Sequence, residues 1–249
     1  FMGRSVTMAQ SGDSHAGRDG IPLTTQVDYM PFWNDDAVEK VGGAKNFIDH
    51  ALWRLDQFVE RYPKQYACFI FELVQGEGGF NTAPRDYLKA LMDRCRDHGI
   101  AIWDDEIQSF GRTPRMFAYE QYELGEYVDI FCVGKMTQTC ARSSRQLFYI
   151  GTCSLELLSV GDYYDSTPGA GDGRIAKHHA EFTKQMQAII DRHPEWFPHV
   201  PFAGPNPGGI GGMMRFTPIG GVKEKVAKAA KAIYNEGDVL FWCGHGPYP

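Results

Sequence analysis

Three short apolar runs, separated by stretches with helical spacing, most constrain how this 249-residue chain can fold. A nearly continuous apolar run of strand length is typical of a strand buried on both faces. Such runs lie at residues 66–74, 100–103 and 128–133. Helical spacing of apolar residues fills the stretches before and between them, at about 43–61, 85–98 and 115–124. This alternation predicts the α/β class, with a mostly parallel sheet and flanking helices.

The later part of the chain continues with helices and shorter strands. We predict a long amphipathic helix at about 172–192, a strand ending at Phe216, a helix at about 222–236 and a last strand over Val239–Trp242. The stretch 204–212 is rich in Gly and Pro, which is typical of a passage between domains. The predicted organisation is therefore a large domain over 1–203 and the start of a small α+β domain over 204–249. Residues 1–40 are expected to form loop with short strands.

Composition excludes several classes of function. The formal net charge is -6, so there is no surplus of basic residues to neutralise nucleic-acid phosphates. No run of eighteen apolar residues is present, which argues against a membrane span. The six cysteines are scattered, without C-x-x-C or zinc-ligand spacing. We therefore predict a cytoplasmic protein with reduced thiols, no metal site, no nucleic-acid partner and no membrane partner.

Chemically useful side chains follow each of the three buried strands. Glu72 and Glu77 follow the first strand, Asp105 and Gln108 end the second, and Lys135 follows the third. Ligands of open parallel sheets bind at the carboxyl ends of the strands. An amine and a carboxylate on one edge are what pyridoxal 5'-phosphate (PLP) requires, since it takes a lysine on its aldehyde and an acid at its ring nitrogen. The strand ends therefore predict a PLP site.

The same segments resemble a known family. Phe71–Phe80 (FELVQGEGGF) is similar to the Glu-Pro-x-Gln-Gly-Glu-Gly-Gly block of class-III aminotransferases, and Trp103–Thr113 (WDDEIQSFGRT) to their Asp-Glu-x-Gln block. Val128–Lys135 follows in the same order and spacing, and Phe1–Arg4 resembles the aromatic-x-Gly-Arg turn of that family. Met136–Cys140 is similar to the lysine 6-aminotransferase branch. The resemblance implies a PLP-dependent transferase of fold type I.

The resemblance also implies a role for each residue that would hold the cofactor. Lys135 would attach PLP covalently and then move a proton between substrate carbon and cofactor carbon. Asp105 would pair with the pyridine nitrogen, and Gln108 would hydrogen-bond the phenolic oxygen. Phe1 would stack on the ring, and Thr152 would reach the cofactor phosphate of the neighbouring subunit.

On the substrate side, the resemblance implies that Arg4 grips a substrate carboxylate and that Glu77 neutralises a second, C-terminal arginine when that arginine is idle. The expected reaction moves an amino group from an amino acid or ω-amine donor to a keto acid such as 2-oxoglutarate, in a homodimer. Acetylornithine, ornithine, lysine and 4-aminobutyrate are all candidate donors.

The chain also departs from the family pattern. It begins at the ring-stacking aromatic and ends before the arginine expected in the small domain, and Lys135 and Thr152 are only 17 residues apart, closer than in the family. We therefore expect a fragment that lacks both ends. Two alternatives stay open: an aminomutase or decarboxylase on the same fold, and a truncated, catalytically inactive remnant.

Overall fold

The computed structural model describes residues 27–137, 141–144 and 161–237. Four predictions from the sequence lie outside these residues: the roles of Phe1, Arg4 and Thr152, and the last strand at 239–242.

The described residues form six helices of four residues or more, and six strands. The helices are α1 (Asp35–Lys40), α2 (Ala44–Arg61), α3 (Arg85–Asp97), α4 (Ala118–Gln121), α5 (Arg174–Arg192) and α6 (Lys223–Gly237). The strands are β1 (Cys68–Phe71), β2 (Ala101–Glu106), β3 (Ile130–Val133), β4 (Ala141–Ser144), β5 (Gly208–Ile210) and β6 (Met213–Arg215). Single 3₁₀ turns lie at Lys135–Thr137, Pro194–Trp196 and Ile219–Gly221.

The main sheet has the order β1-β2-β3-β4. The first three strands are parallel, with Phe71 paired to Asp104 and Asp105 paired to Cys132. β4 runs antiparallel beside β3, with Val133 paired to Ala141. Parallel neighbours require a crossover connection, which α3 supplies between β1 and β2. The predicted α/β class with a mostly parallel sheet and flanking helices is confirmed.

The core lies between one face of the sheet and helices α2 and α3. Both helices bury a stripe at helical spacing, as expected for surface helices that pack on a sheet. The buried side chains are Phe47, Ala51, Leu55 and Val59 from α2, and Tyr87, Leu88, Leu91, Met92 and Cys95 from α3. Ile102 of β2 joins the same cluster and is fully buried. The helices thus determine which face of β2 is inside.

Two details differ from the sequence predictions. Residues 35–40 form α1, where loop with short strands was expected, because Asn34 caps it: its side-chain oxygen accepts the Ala37 N–H at 3.2 Å. The Gly- and Pro-rich stretch 204–212 contains β5, which pairs antiparallel with β6. Glycines allow this tight hairpin, since a side chain on Gly209 would meet the Met213 carbonyl oxygen at 1.8 Å. The proposed domain boundary near 204 stays a prediction.

Among the described residues, no helix is both long and apolar enough to cross a membrane.

Candidate active site

The site is built where β1, β2 and β3 end. The pairing of Phe71 with Asp104 makes Glu72 and Asp105 the next neighbours along β1 and β2. The pairing of Asp105 with Cys132 continues this row onto β3. Neighbouring strands are about 4.8 Å apart, so Glu72, Asp105 and Cys132 form a row across the sheet at its carboxyl edge.

Asp105 lies on the opposite face of β2 from its two acidic neighbours. Burial along the strand alternates, with Ile102, Asp104 and Glu106 buried and Asp105 half-buried. This follows from the two-residue repeat of a strand, in which successive side chains point to opposite faces. The Asp105 carboxylate accepts the backbone N–H of Ile107 at 3.0 Å. The Cys132 thiol of β3 is a second hydrogen-bond partner of this carboxylate.

Lys135 follows β3 with an unusual backbone. Its φ is 53°, in the left-handed region that L-residues other than Asn and Asp rarely adopt, and its side chain is exposed. It comes two residues after the end of β3 and begins the 3₁₀ turn Lys135–Thr137, at the same edge of the sheet as Asp105. A backbone held in such a region is a reason to look for function.

Gln108 is held from several sides. Its side-chain amide donates to a Glu77 carboxylate oxygen at 2.8 Å, and Arg112 donates to its backbone carbonyl at 3.0 Å. Gly76 lies directly against it: a Cβ on Gly76 would come within 2.2 Å of the Gln108 Cδ. Only glycine permits this approach, so the Gly-rich turn after β1 and the segment after β2 are matched to each other.

Glu72 and Cys132 flank Asp105 in the row. The Glu72 carboxylate accepts the Gly76 N–H at 3.1 Å. Burial first, and the Asp105 carboxylate second, raise the pKa of Glu72 to about 7. Burial, with the Asp105 charge next, raises the pKa of the Cys132 thiol to about 12, so this cysteine is a neutral thiol at neutral pH.

On the other face of β2, Asp104 and Glu106 form a buried acidic pair. Neither carboxylate oxygen of Asp104 has a hydrogen-bond partner among the described residues, and burial together with Glu106 raises its pKa well above the ordinary range. Glu106 accepts the Ser109 hydroxyl and the Tyr119 N–H. Burial raises its pKa to about 7, while Ser109 and Asp104 oppose that shift. This pair is enclosed in the core and cannot face a ligand at the sheet edge.

Of the residues predicted for the site, the structure places Asp105 and Gln108 at the end of β2 and Lys135 after the end of β3, and a hydrogen bond joins Gln108 to Glu77. The contact between Gln108 and Glu77 was not foreseen. Glu72 had been noted only as a strand end, with no role. Its position beside Asp105 depends on the register between β1 and β2, which the apolar pattern of one strand does not reveal.

The comparison with family models gives the family of the chain. The model of the class-III aminotransferases matches residues 1–140, more than half of the chain. The chain belongs to the class-III aminotransferase family.

Two curated relatives illustrate the match. The chain is 34% identical over 137 residues to the acetylornithine aminotransferase of Methanocaldococcus jannaschii, covering 54% of this chain and 29% of that protein. It is 42% identical over 165 residues to the 2-aminoadipate transaminase of Pseudomonas putida, covering 59% of this chain and 38% of that protein. The chain therefore spans about a third of the length of these relatives.

A solved structure carries the fold comparison. The lysine aminotransferase of M. tuberculosis, in its internal aldimine form, superposes with a TM-score of 0.56 at 21% identity, covering 82% of this chain and 51% of that one. At this identity the likeness concerns the fold alone.

Proposed function

We propose that this chain supplies the cofactor-holding part of a PLP-dependent aminotransferase, which moves an amino group from an amino acid or ω-amine to a keto acid such as 2-oxoglutarate. The observation that carries the proposal is the convergence of Asp105, Gln108 and Lys135 on the carboxyl edge of adjacent parallel strands. Family membership supports the same reaction class.

The groups present fit PLP chemically. An amine, a carboxylate and an amide lie at one edge of the sheet, where the adjacent parallel strands β2 and β3 end. When bound, PLP would supply an electron sink for the substrate's amino-bearing carbon.

Each residue has a separate task in this proposal. The Lys135 amine would hold the cofactor covalently and would move a proton at its Nζ between substrate carbon and cofactor carbon. The Asp105 carboxylate would accept a charge-assisted hydrogen bond from the protonated ring nitrogen, worth about 1.5–3 kcal/mol. The Gln108 amide, which contacts Gly76 and Glu77, would hydrogen-bond the phenolic oxygen.

For the substrate side we keep the roles of Arg4 and Glu77 from the sequence. In the structure, Glu77 is exposed, and its carboxylate accepts a hydrogen bond from the neutral side-chain amide of Gln108. The relatives act, by their names, on acetylornithine and 2-aminoadipate, and a fold neighbour on lysine. We therefore propose an amino-acid donor of this group, without choosing among them.

A second candidate exists for the hydroxyl that would reach the cofactor phosphate of the neighbouring subunit. Thr167, which follows Ser166, lies 32 residues after Lys135. Thr152 lies only 17 residues after Lys135, which is closer than in the family. Ser166 and Thr167 are exposed on a loop that Asp165 organises by accepting the Gly171 and Gly173 N–H groups, each at 2.9 Å. We propose Thr167 beside Thr152 for this role.

The cytoplasmic location, the homodimer and the boundary near residue 204 remain predictions from the sequence. Size-exclusion chromatography with light scattering tests the dimer directly.

The deciding experiment adds PLP to the 249-residue chain and follows the long-wavelength absorbance of lysine-bound cofactor. We expect a band that Lys135→Ala abolishes. Lys64→Ala is the matched control, because Lys64 is also exposed and also has a left-handed backbone, with φ of 59°. A band that survives in Lys135→Ala, or no band at all, would contradict the proposed role.

Where the band forms, amino donors are supplied with 2-oxoglutarate and glutamate is measured. Glutamate formation supports transamination. Carbon dioxide release, or rearranged donor without glutamate, would instead indicate a decarboxylase or an aminomutase. A band without turnover of any donor would indicate an inactive remnant that still holds the cofactor.

A further inference from the structure

Glu72 is the one carboxyl group beside Asp105 in the described row that the proposed mechanism does not use. Glu72 is the first residue after β1, and the pairing of Phe71 with Asp104 sets it next to Asp105 of β2. Among the described residues, the groups that act on Glu72 are the Asp105 carboxylate from β2, the Glu77 carboxylate from the following turn, and the Gly76 N–H.

Two carboxyl groups this close in a half-buried row repel each other when both are ionised. Burial and the Asp105 charge both favour the protonated form of Glu72, and Glu77 adds to this, while the Gly76 N–H favours the ionised form. The balance leaves the pKa of Glu72 at about 7.

Glu72 also supports the turn that Gln108 packs against. Its carboxyl oxygen accepts from Gly76 at 3.1 Å, and Gly76 lies against the Gln108 side chain. A neutral carboxylic acid keeps this acceptor oxygen, so the support persists in either protonation state.

We propose that Glu72 is a positioning residue of this site: as a neutral acid it leaves Asp105 as the single carboxylate that faces the ring nitrogen, while it holds the turn beneath Gln108. The inference rests on the proposed function for the part that concerns the cofactor. The effect of the Asp105 charge on Glu72 is a property of the chain alone.

The consequence is a pH response near neutrality. Above this range Glu72 ionises and places a second negative charge beside Asp105, which favours the protonated form of any nitrogen bound there. The absorbance of the PLP-loaded chain is therefore expected to show a transition near pH 7 that Glu72→Gln removes.

The first test needs no cofactor. The carboxyl carbons of the glutamates are labelled with ¹³C in the 249-residue chain, and Glu72 is assigned as the signal lost in Glu72→Gln. We expect a titration midpoint near 7, and a midpoint in Asp105→Asn that moves toward the ordinary glutamate value of about 4.3. An ordinary midpoint in the native chain, or one that Asp105→Asn does not move, overturns the proposal.

The second test compares PLP affinity in two variants. Glu72→Gln keeps the acceptor oxygen and is expected to bind PLP within about twofold of the native chain, whereas Glu72→Leu loses the contact with Gly76 and should bind about tenfold more weakly, the effect of one hydrogen bond. Equal binding by Glu72→Leu overturns the positioning role.

The two failures are distinguishable. If the Lys135-dependent band never forms, the proposed function fails, and the titration midpoint of Glu72 in the native chain and in Asp105→Asn still tests the effect of Asp105 on Glu72.

Discussion

Asp104, Asp105 and Glu106 are consecutive acids on β2, yet they meet two different environments. Asp104 and Glu106 lie on the face that helices α2 and α3 cover, and both are fully buried. Asp105 lies on the opposite face, in a row with Glu72 and Cys132 at the open edge of the sheet. The strand repeat thus separates acids that act within the core from the one that can meet a ligand.

The difference is energetic as well as geometric. Moving a carboxyl group from water into the core without hydrogen bonds costs free energy, and the cost is larger when the group is ionised. Asp104 is in this situation, while Glu106 recovers part of the loss through Ser109 and Tyr119. The core face therefore carries a stability cost, and the edge face carries the proposed chemistry.

The largest expected effect concerns the core face itself. Ile102→Ala removes a fully buried side chain from the cluster between sheet and helices and should lower the free energy of unfolding by about 2–5 kcal/mol. Urea denaturation followed by circular dichroism measures it. A loss below about 1 kcal/mol would mean that the helices do not pack on this face.

A smaller effect is expected at Asp104, where a substitution should raise the free energy of unfolding instead of lowering it. The pKa of Asp104 is raised in the folded state, so the folded protein holds this proton more tightly than the unfolded chain does. The free energy of unfolding therefore falls as the pH rises above about 3.9, the pKa of aspartate in the unfolded chain. Asp104→Leu should therefore raise the free energy of unfolding by about 1–3 kcal/mol at pH 8, and by less at pH 5.

The matched control for Asp104→Leu is Asp105→Asn on the other face, which keeps the acceptor for the Ile107 N–H. Because Asp105→Asn also relieves the repulsion on Glu72, it should raise the free energy of unfolding at pH 8, but by less than Asp104→Leu, since Asp105 is half-buried and Asp104 is fully buried. Stabilisation by Asp105→Asn equal to that of Asp104→Leu would erase the distinction between the faces.

The smallest effect expected of a substitution on the core face is at Ser109, which is buried and donates to Glu106. Ser109→Ala should lower the free energy of unfolding by about 0.5–1.5 kcal/mol, and should raise the pKa of Glu106 because the hydroxyl opposes that shift. Thermal unfolding measures the first and ¹³C titration the second. If the pKa of Glu106 falls instead, the hydroxyl does not stabilise the ionised carboxyl.

The sequence predicted the helices at 44–61 and 85–97 and the three parallel strands to within a few residues, because their apolar patterns are long and regular. Helix α1 was missed although its capping signal, Asn34 followed by two aspartates, was present, since six residues carry too little periodicity. The hairpin β5–β6 was obscured by glycines that usually indicate loop.

For the site, residue types were predictable and contacts were not. Asp105, Gln108 and Lys135 stand out by their positions after strands, and family resemblance adds to this. The hydrogen bond from Gln108 to Glu77 joins residues 31 positions apart, and the nearness of Glu72 to Asp105 depends on register. Both require knowing how neighbouring strands align, which local patterns do not contain.

The contact between Gly76 and Gln108 has an evolutionary consequence. With a Cβ at position 76 only 2.2 Å from the Gln108 Cδ, any larger residue there would push the amide aside. Variation at these two positions should therefore be correlated: descendants of this chain that acquire alanine or serine at 76 should also carry a shorter side chain at 108, and a functional library randomised at both positions should return glycine wherever glutamine is kept.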